Sequence, residues 1–407
     1  MSILLDFVDT FDYRVHRVDM IWMDGAGRAG RPSAPALSRQ TNRGPSRMFN
    51  PAIPYNDLPL LPPKGDLETK GVLRKVAAAG RALAELKGIG ATIPNQSILV
   101  NSIVLQEAKA SSEIENIVTT NDELFRAFTA SSTRVDPATK EVLRYREALW
   151  KGYTELLKHG RLGTNLFVTL VRVIRAESAG IRTEAGTVIQ DRRTGAILYT
   201  PPVGESVIRG KLKNLEEYIH AEDELDPLIK LAIVHYQFEA IHPFPDGNGR
   251  TGRILNSLFL VSKGLLDLPV LYLSKYIIDR KPDYYRLLRG VTARGEWERW
   301  ILYMLGAVQA TAVETREKMI SIRTLLDQTL AHARSALPPR VYSKELIEIL
   351  FHQPYTKVQH LVQAGIAERK TAAVYLRAFE KAGILRSRKV GKEVLFLNMK
   401  LFRLLSR

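Results

Sequence analysis

Apolar residues recur at three- and four-residue spacing over 67–86, 101–117, 121–128, 140–158, 165–176, 206–220, 227–239, 249–263, 282–289 and 296–324. That spacing places them on one face of an α-helix, so the body of the chain is predicted to be mainly α. One stretch breaks the period: residues 186–202 carry two β-rich runs around a turn at 191–195 and end in Pro201-Pro202. The runs read as a lone β-hairpin on a helical body. A lone hairpin is marginally stable in water, so it must be braced by neighbours or serve as a recognition edge. Beyond Pro338-Pro339, helical spacing at 343–351, 356–362 and 368–382 gives way to β-rich runs at 385–389 and 393–397 around Val390-Gly391-Lys392. Three helices followed by a hairpin predict a winged-helix domain. At the other end, residues 25–63 are rich in Gly, Ala, Pro, Ser and Arg without a sustained apolar period. They read as an extended or disordered lead-in. The predicted organisation is a lead-in over 1–63, an N-terminal helical region over 64–135, a main helical body over 136–325 and a winged-helix domain over 337–407. Met48 is an alternative start, which would make 1–47 an extension of the gene model.

A length of 407 residues, 45% of them hydrophobic, suits two or three folded domains. The absence of cysteine excludes disulfides, thiolate metal sites and cysteine nucleophiles, and is compatible with a reducing cytoplasm. The first twenty residues carry Asp6, Asp9, Asp12 and Asp19 with no basic start, unlike a secretory signal. The most apolar later stretch, 254–273, is broken by Ser257, Ser262, Lys263, Gly264, Asp267 and Pro269, which argues against a membrane span. A cytoplasmic protein with no membrane partner is therefore expected.

The formal charge is +16, and residues 340–407 hold 14 Lys or Arg against 5 Asp or Glu, which makes the C-terminal domain a separate basic module. Arg369, Lys370 and Arg377 on its third helix, with Arg386, Arg388, Lys389 and Lys392 on the wing, are candidate phosphate contacts for DNA. Winged helices also serve protein contacts, so a homodimer stays open beside DNA.

The densest chemistry lies in His242-Pro-Phe-Pro-Asp-Gly-Asn-Gly-Arg-Thr-Gly-Arg253. Gly247, Asn248 and Gly249 precede an amphipathic helix, so backbone N–H groups of a turn and a helix start can converge on an anion. Arg250 and Arg253 share one face of that helix, and two cations beside such a nest suit a polyphosphate better than a single carboxylate. Asp246 offers oxygen to Mg²⁺, which commonly binds through one or two carboxylates plus phosphates and water. His242 is the nearby side chain whose ordinary pKa suits a general base at neutral pH. Pro243 and Phe244 read as structural, one turning the chain and the other pinning the loop. The bland alternative is a Gly-rich helix cap with solvated arginines. The Walker A pattern is absent, which excludes a P-loop origin for the phosphate site.

This segment resembles the signature of the Fic domain family, His-Pro-Phe-x-Asp/Glu-Gly-Asn-Gly-Arg-x-x-Arg, without a mismatch. The resemblance covers about residues 67–324 and implies a Fic-type helical bundle with a β-hairpin flap. It further implies a protein adenylyltransferase that moves AMP from ATP to a Ser, Thr or Tyr hydroxyl of a target protein or of itself. Carried over by position, His242 deprotonates the hydroxyl and Asp246 binds Mg²⁺. Gly247, Asn248 and Gly249 hold the α- and β-phosphates, Arg253 faces the γ-phosphate and Arg250 supports the site. Family members of the Doc type carry lysine at the position of Gly249, bind nucleotide in reverse and phosphorylate, so Gly249 favours nucleotidyl transfer. Tyr284 and Tyr285 fall where relatives line the adenine pocket, and tyrosines at this spacing equally suit the core. Val188 and Ile189 fall in the flap, with Gln190 and Asp191 where relatives often carry glycines. Ser111, Glu115 and Asn116 match the family's inhibitory motif, Ser/Thr-x-x-x-Glu-Gly/Asn. By resemblance to the class with an N-terminal inhibitory helix, Glu115 pairs with Arg253 and misplaces ATP. Open beside this reading are transfer of another nucleotide such as UMP, a nucleotide-sensing DNA-binding regulator, and a bifunctional enzyme in which Glu115 also serves removal of AMP.

Overall fold

The computed structural model describes residues 49–93, 95–129, 135–190 and 194–406. The reading of 1–47 falls outside these residues, as does Asp191 in the hairpin turn.

Two adjoining helices organise the fold. One is buried on nearly every side, because Leu228, Ile229, Leu231, Ala232, Ile233 and Val234 leave it no polar face. In chain order it is α7 (Pro227–Ile241), and Asp226 caps it by accepting from the Leu228 amide, with Pro227 at the first helical position. The other, α8 (Asn248–Ser262), follows after a short loop that carries the signature residues. Around this pair lie α4 (Pro137–His159), α5 (Thr164–Arg175) and α6 (Glu205–His220). Helix α2 (Gln96–Ile114) packs on α4 and on α9 (Leu273–Asp279), and α1 (Lys70–Ala91) packs along α11 (Trp297–Ala336). Helices α3 (Asn121–Thr129) and α10 (Lys281–Arg294) complete the body.

The predicted hairpin is present as β1 (Ile189–Gln190) and β2 (Ile197–Tyr199), antiparallel with a register shift at Ile189/Gln190. It is braced at its base. Tyr199 donates its hydroxyl to the Ala240 carbonyl at 2.7 Å, and its ring meets Phe49 and Tyr55. That contact gives residues 49–63 a definite place. The lead-in is extended there but docked: Leu58 is buried, Lys211 donates to its carbonyl at 2.6 Å, and Asn214 pairs with both backbone groups of Leu61. Gln237 donates to the Pro59 carbonyl at 2.9 Å. The backbone is satisfied by side chains about 150 to 180 positions away, a signal that local composition does not carry.

Helix α11 runs 12 residues past the expected end at 324, because Ile322, Leu325, Leu326, Thr329 and Ala333 continue its buried face. The C-terminal module is thus joined to the body by helix and not by an open linker. It contains α12 (Lys344–Ile349), α13 (Val358–Gln363) and α14 (Arg369–Lys381). Strands β3 (Tyr355–Thr356), β4 (Arg386–Val390) and β5 (Glu393–Leu397) form an antiparallel sheet in the order β3-β5-β4, and α15 (Met399–Leu405) closes the chain. Helices α9 and α15 and strand β3, each seven residues or fewer, had no readable period. Among the described residues no helix is long and apolar enough to cross a membrane.

Candidate functional site

His242 ends α7 in the left-handed region, with φ 48° and ψ 60°, and its amide still bonds the Phe238 carbonyl at 3.0 Å. A non-glycine residue held there costs roughly 1–2 kcal/mol, so neighbours must over-determine it. Arg182 does so. Its Nε donates to the His242 carbonyl at 2.8 Å, its Nη2 to the carbonyls of Pro202 and Ile241, and its own amide to Pro243 at 2.9 Å. Burial, then the Arg182 charge, lowers the His242 imidazole to about 4, against smaller opposing effects of the Glu239 backbone, Glu115 and Asp246. At neutral pH it is therefore uncharged and able to accept a proton.

Phe244 is fully buried against Phe238, as expected of a pin. The Asn248 amide closes the loop by accepting from the Phe244 amide at 2.8 Å and donating to the Phe244 carbonyl at 2.7 Å. Its side chain is thus spent on the loop, leaving its backbone N–H for an anion. Gly247 adopts φ 84° before α8, and no side chain caps that helix start. The first turn of α8 therefore directs uncapped N–H groups at the loop.

Both arginines are 2% exposed. Arg250 pairs with Glu141 of α4 and lies 3.7 Å from Asp246. Asp246 remains exposed, accepts from the Gly247 amide at 2.6 Å and pairs with Arg175 at the end of α5. Arg253 is held on α2: its Nε donates to Ser111 Oγ at 2.7 Å, and its Nη2 to the Ser111 carbonyl and Glu115 Oε1, each at 2.9 Å. Burial works against the Arg253 charge, but Glu115, Tyr284 and Glu239 hold its pKa above the ordinary value. Burial likewise favours a neutral Glu115, but Arg253 and then Arg250 hold that carboxylate below the ordinary range.

The end of α2 explains how Glu115 is aimed. Asn116 takes φ 64°, its amide bonds the Glu113 carbonyl at 2.9 Å, and the Ile117 amide bonds the Ser112 carbonyl at 3.0 Å. This paired closure is a helix stop that needs a residue tolerant of the left-handed region, which Asn supplies. Glu115 sits just before the stop and reaches the start of α8. A Cβ added at Gly249 would lie 2.4 Å from Glu115 Oε1, so the carboxylate in its present position uses the room that a glycine leaves.

The tyrosine expectation divides. Tyr284 is 2% exposed, its hydroxyl shares a 2.8 Å hydrogen bond with His235, and its ring packs among Tyr285, Trp300 and Tyr303. It is a core residue in this state and offers no face to a nucleotide. Tyr285, its neighbour on α10, is half-buried. Val188 precedes β1 and Ile189 begins it; both are half-buried, on the hairpin and away from the loop in sequence. Sequence reasoning missed Arg182, Glu141 and Arg175, single charged residues with no motif around them. It also missed Glu239, one turn before His242, whose carboxyl burial pushes up to about 7 against the pull of Arg253. In the C-terminal module, Arg369, Lys370, Arg377, Arg386, Lys389 and Lys392 are exposed. Arg388 is also exposed but bonds Asp122 of α3 at 3.2 Å, so it is not simply a solvated wing cation.

Residues 73–154 match the Fic/DOC family N-terminal domain, and residues 167–260 match the Fic/DOC family domain. Residues 325–401 match the C-terminal domain described for SoFic-like protein adenylyltransferase. A "Probable protein adenylyltransferase" of Aquifex aeolicus is 41% identical over 83 residues, 20% of this chain and 25% of that protein. A protein adenylyltransferase of Caenorhabditis elegans is 29% identical over 140 residues, 34% of this chain and 26% of the other. The chain thus spans about a quarter of the length of these relatives. A solved Fic family protein from Desulfovibrio desulfuricans superposes with TM-score 0.52 at 18% identity, covering 83% of this chain and 98% of its own. A Fic domain signalling protein from Bacteroides thetaiotaomicron gives TM-score 0.50 at 17% identity, covering 60% and 96%. These likenesses show a shared fold. The three matched segments follow one another along most of the described chain, the signature 242–253 falls within the second, and the chain belongs to the Fic/DOC family.

Proposed function

We propose that this chain is a protein adenylyltransferase that transfers AMP from ATP to a Ser, Thr or Tyr hydroxyl, on a target protein or on itself. One observation carries the reading: a neutral imidazole on a firmly held backbone stands at one end of a short loop whose other end is an uncapped helix start with two buried arginines. In the proposed reaction His242 takes the hydroxyl proton as that oxygen bonds the α-phosphorus. The bond to the bridging oxygen breaks and pyrophosphate leaves. The N–H groups of the α8 start hold phosphate oxygens, and Arg250, fixed by Glu141, keeps positive charge beneath them. The adenylyltransferase names of the relatives support the same chemistry.

Asp246 suits a role as ligand to Mg²⁺. It is an exposed carboxylate at the mouth of the cradle, and the described residues hold no cluster of three or more His, Asp or Glu that would cage a metal. A Mg²⁺ that takes most ligands from phosphate and water needs no cage. When bound, the ion neutralises phosphate charge. Incubation of the full chain and a lysate with ATP or UTP and Mg²⁺, followed by mass spectrometry, tests the reading. An AMP adduct on a hydroxyl residue is expected; a UMP adduct alone would replace ATP by UTP, and no adduct from the uninhibited variant described below would count against transfer.

The exposed basic face on α14 and the β4–β5 turn favours a second role for the C-terminal module, DNA binding. If four phosphates are neutralised, affinity of the full chain for a DNA duplex should fall by about a hundredfold between 50 and 200 mM salt. Gel retardation at both salt concentrations measures it, and no retardation at low salt would exclude the role.

A further inference from the structure

We infer that the C-terminal module holds the Glu115 helix in its seat, with Tyr355 and Arg388 acting as positioning residues for that carboxylate. The inference rests on the reading that Glu115 blocks Arg253. Five residues beyond Glu115, Thr120 precedes α3 and caps it reciprocally: its hydroxyl accepts from the Glu123 amide at 3.1 Å, and Glu123 accepts from the Thr120 amide at 3.2 Å. So short a connection transmits the position of α3 to the end of α2.

The module grips α3 at its first turn. Tyr355, buried on β3, donates its hydroxyl to Asp122 Oδ1 at 2.5 Å, and Arg388 of β4 donates to both Asp122 oxygens at 3.4 and 3.2 Å. Further along α3, Thr129 donates to the Tyr355 carbonyl at 3.4 Å, and the Phe125 ring meets Phe402 of α15 edge-on at 6.0 Å. On the other flank of α2, Asn95 bonds His352 of the module at 2.9 Å. The segment bearing Glu115 is therefore tied to the module before it begins and soon after it ends. A solvated ion pair alone would contribute little, but a buried tyrosine hydroxyl on the same carboxylate fixes its geometry. The module is thereby mechanically coupled to a carboxylate in the nucleotide site.

Amide hydrogen exchange over residues 111–117 of the full chain tests the coupling independently of activity. In Tyr355→Phe, Asp122→Asn and Arg388→Ala, exchange there should quicken about three- to tenfold, and AMP transfer should rise by a similar factor. In a Glu115→Gly background the same three changes should leave transfer unaltered. Unchanged exchange in all three variants, with native melting curves, would overturn the inference. So would an equal rise in the Glu115→Gly background, since the module would then act elsewhere. Should Asp122→Asn fail to fold, Tyr355→Phe removes only one hydroxyl and decides the matter. If Glu115→Gly alone leaves transfer unchanged, the blocking role of Glu115 fails, while the exchange data still decide whether the module holds the helix.

Discussion

His242→Ala is expected to lower AMP transfer by about 10²- to 10⁴-fold, the usual contribution of a positioned general base, with ATP affinity changed little. The backbone that carries the imidazole is placed by Arg182 and not by the phosphate cradle, so removing the ring leaves the start of α8 and both arginines where they are. His242→Asn is the sharper variant, because Asn tolerates the left-handed conformation at φ 48° yet cannot take up a proton. Both should fail alike in a radiolabelled ATP assay. Residual transfer by His242→Asn within tenfold of the wild type would remove His242 from the role of base. The pH profile carries the same argument. Burial and the Arg182 charge lower the imidazole to about 4, so the proton-accepting form dominates at neutral pH. Transfer should decline as pH falls toward that value and the imidazole takes up a proton.

Glu115→Gly is expected to raise AMP transfer about 10- to 100-fold. A hydrogen bond to a charged group contributes about 1.5–3 kcal/mol, and in the proposed reaction the terminal phosphate of ATP displaces one such bond to reach Arg253. Charge adds to the competition, since a carboxylate kept ionised by Arg253 repels a phosphate approaching the same guanidinium. Ser111 still holds Arg253 through Nε and Nη2 in the variant, so the cation stays in place when its acid is removed. Transfer assays alongside ATP-dependent thermal shifts separate release of the block from general loosening: the variant should gain more stability from ATP than the wild type. Equal transfer by the two proteins would eliminate the block.

Much of this site is legible in the sequence because its parts are neighbours in the chain. His242, Asp246, Gly247 to Gly249, Arg250 and Arg253 occupy one loop and one helix start, and helical spacing puts the two arginines together. The pairing of Glu115 with Arg253 spans 138 positions and was readable only because a short motif accompanies it. Where no motif exists, the partner stays hidden. Glu141 meets Arg250 across 109 positions, Arg175 meets Asp246 across 71, and Arg182 meets the His242 carbonyl across 60. The first two are set by how α4 and α5 pack on α8, and the third by how the loop after α5 lies against the end of α7; periodicity specifies none of them. Tyr284 and Tyr285 show the same limit from another side, since adjacent tyrosines on α10 differ in fate by which one turns toward Trp300. The docked stretch 49–63 was hidden because its backbone bonds go to Lys211, Asn214 and Gln237, residues that look like ordinary polar positions on helices.

The missing side chain at Gly249 has an evolutionary consequence. The room that admits Glu115 Oε1, 2.4 Å from where a Cβ would stand, lies at the same helix start that is proposed to receive phosphate. A lineage that acquired a side chain at this position would reshape the proposed phosphate seat and displace the Glu115 carboxylate in a single mutational step. On the proposed reading, substrate choice and restraint are therefore inherited together.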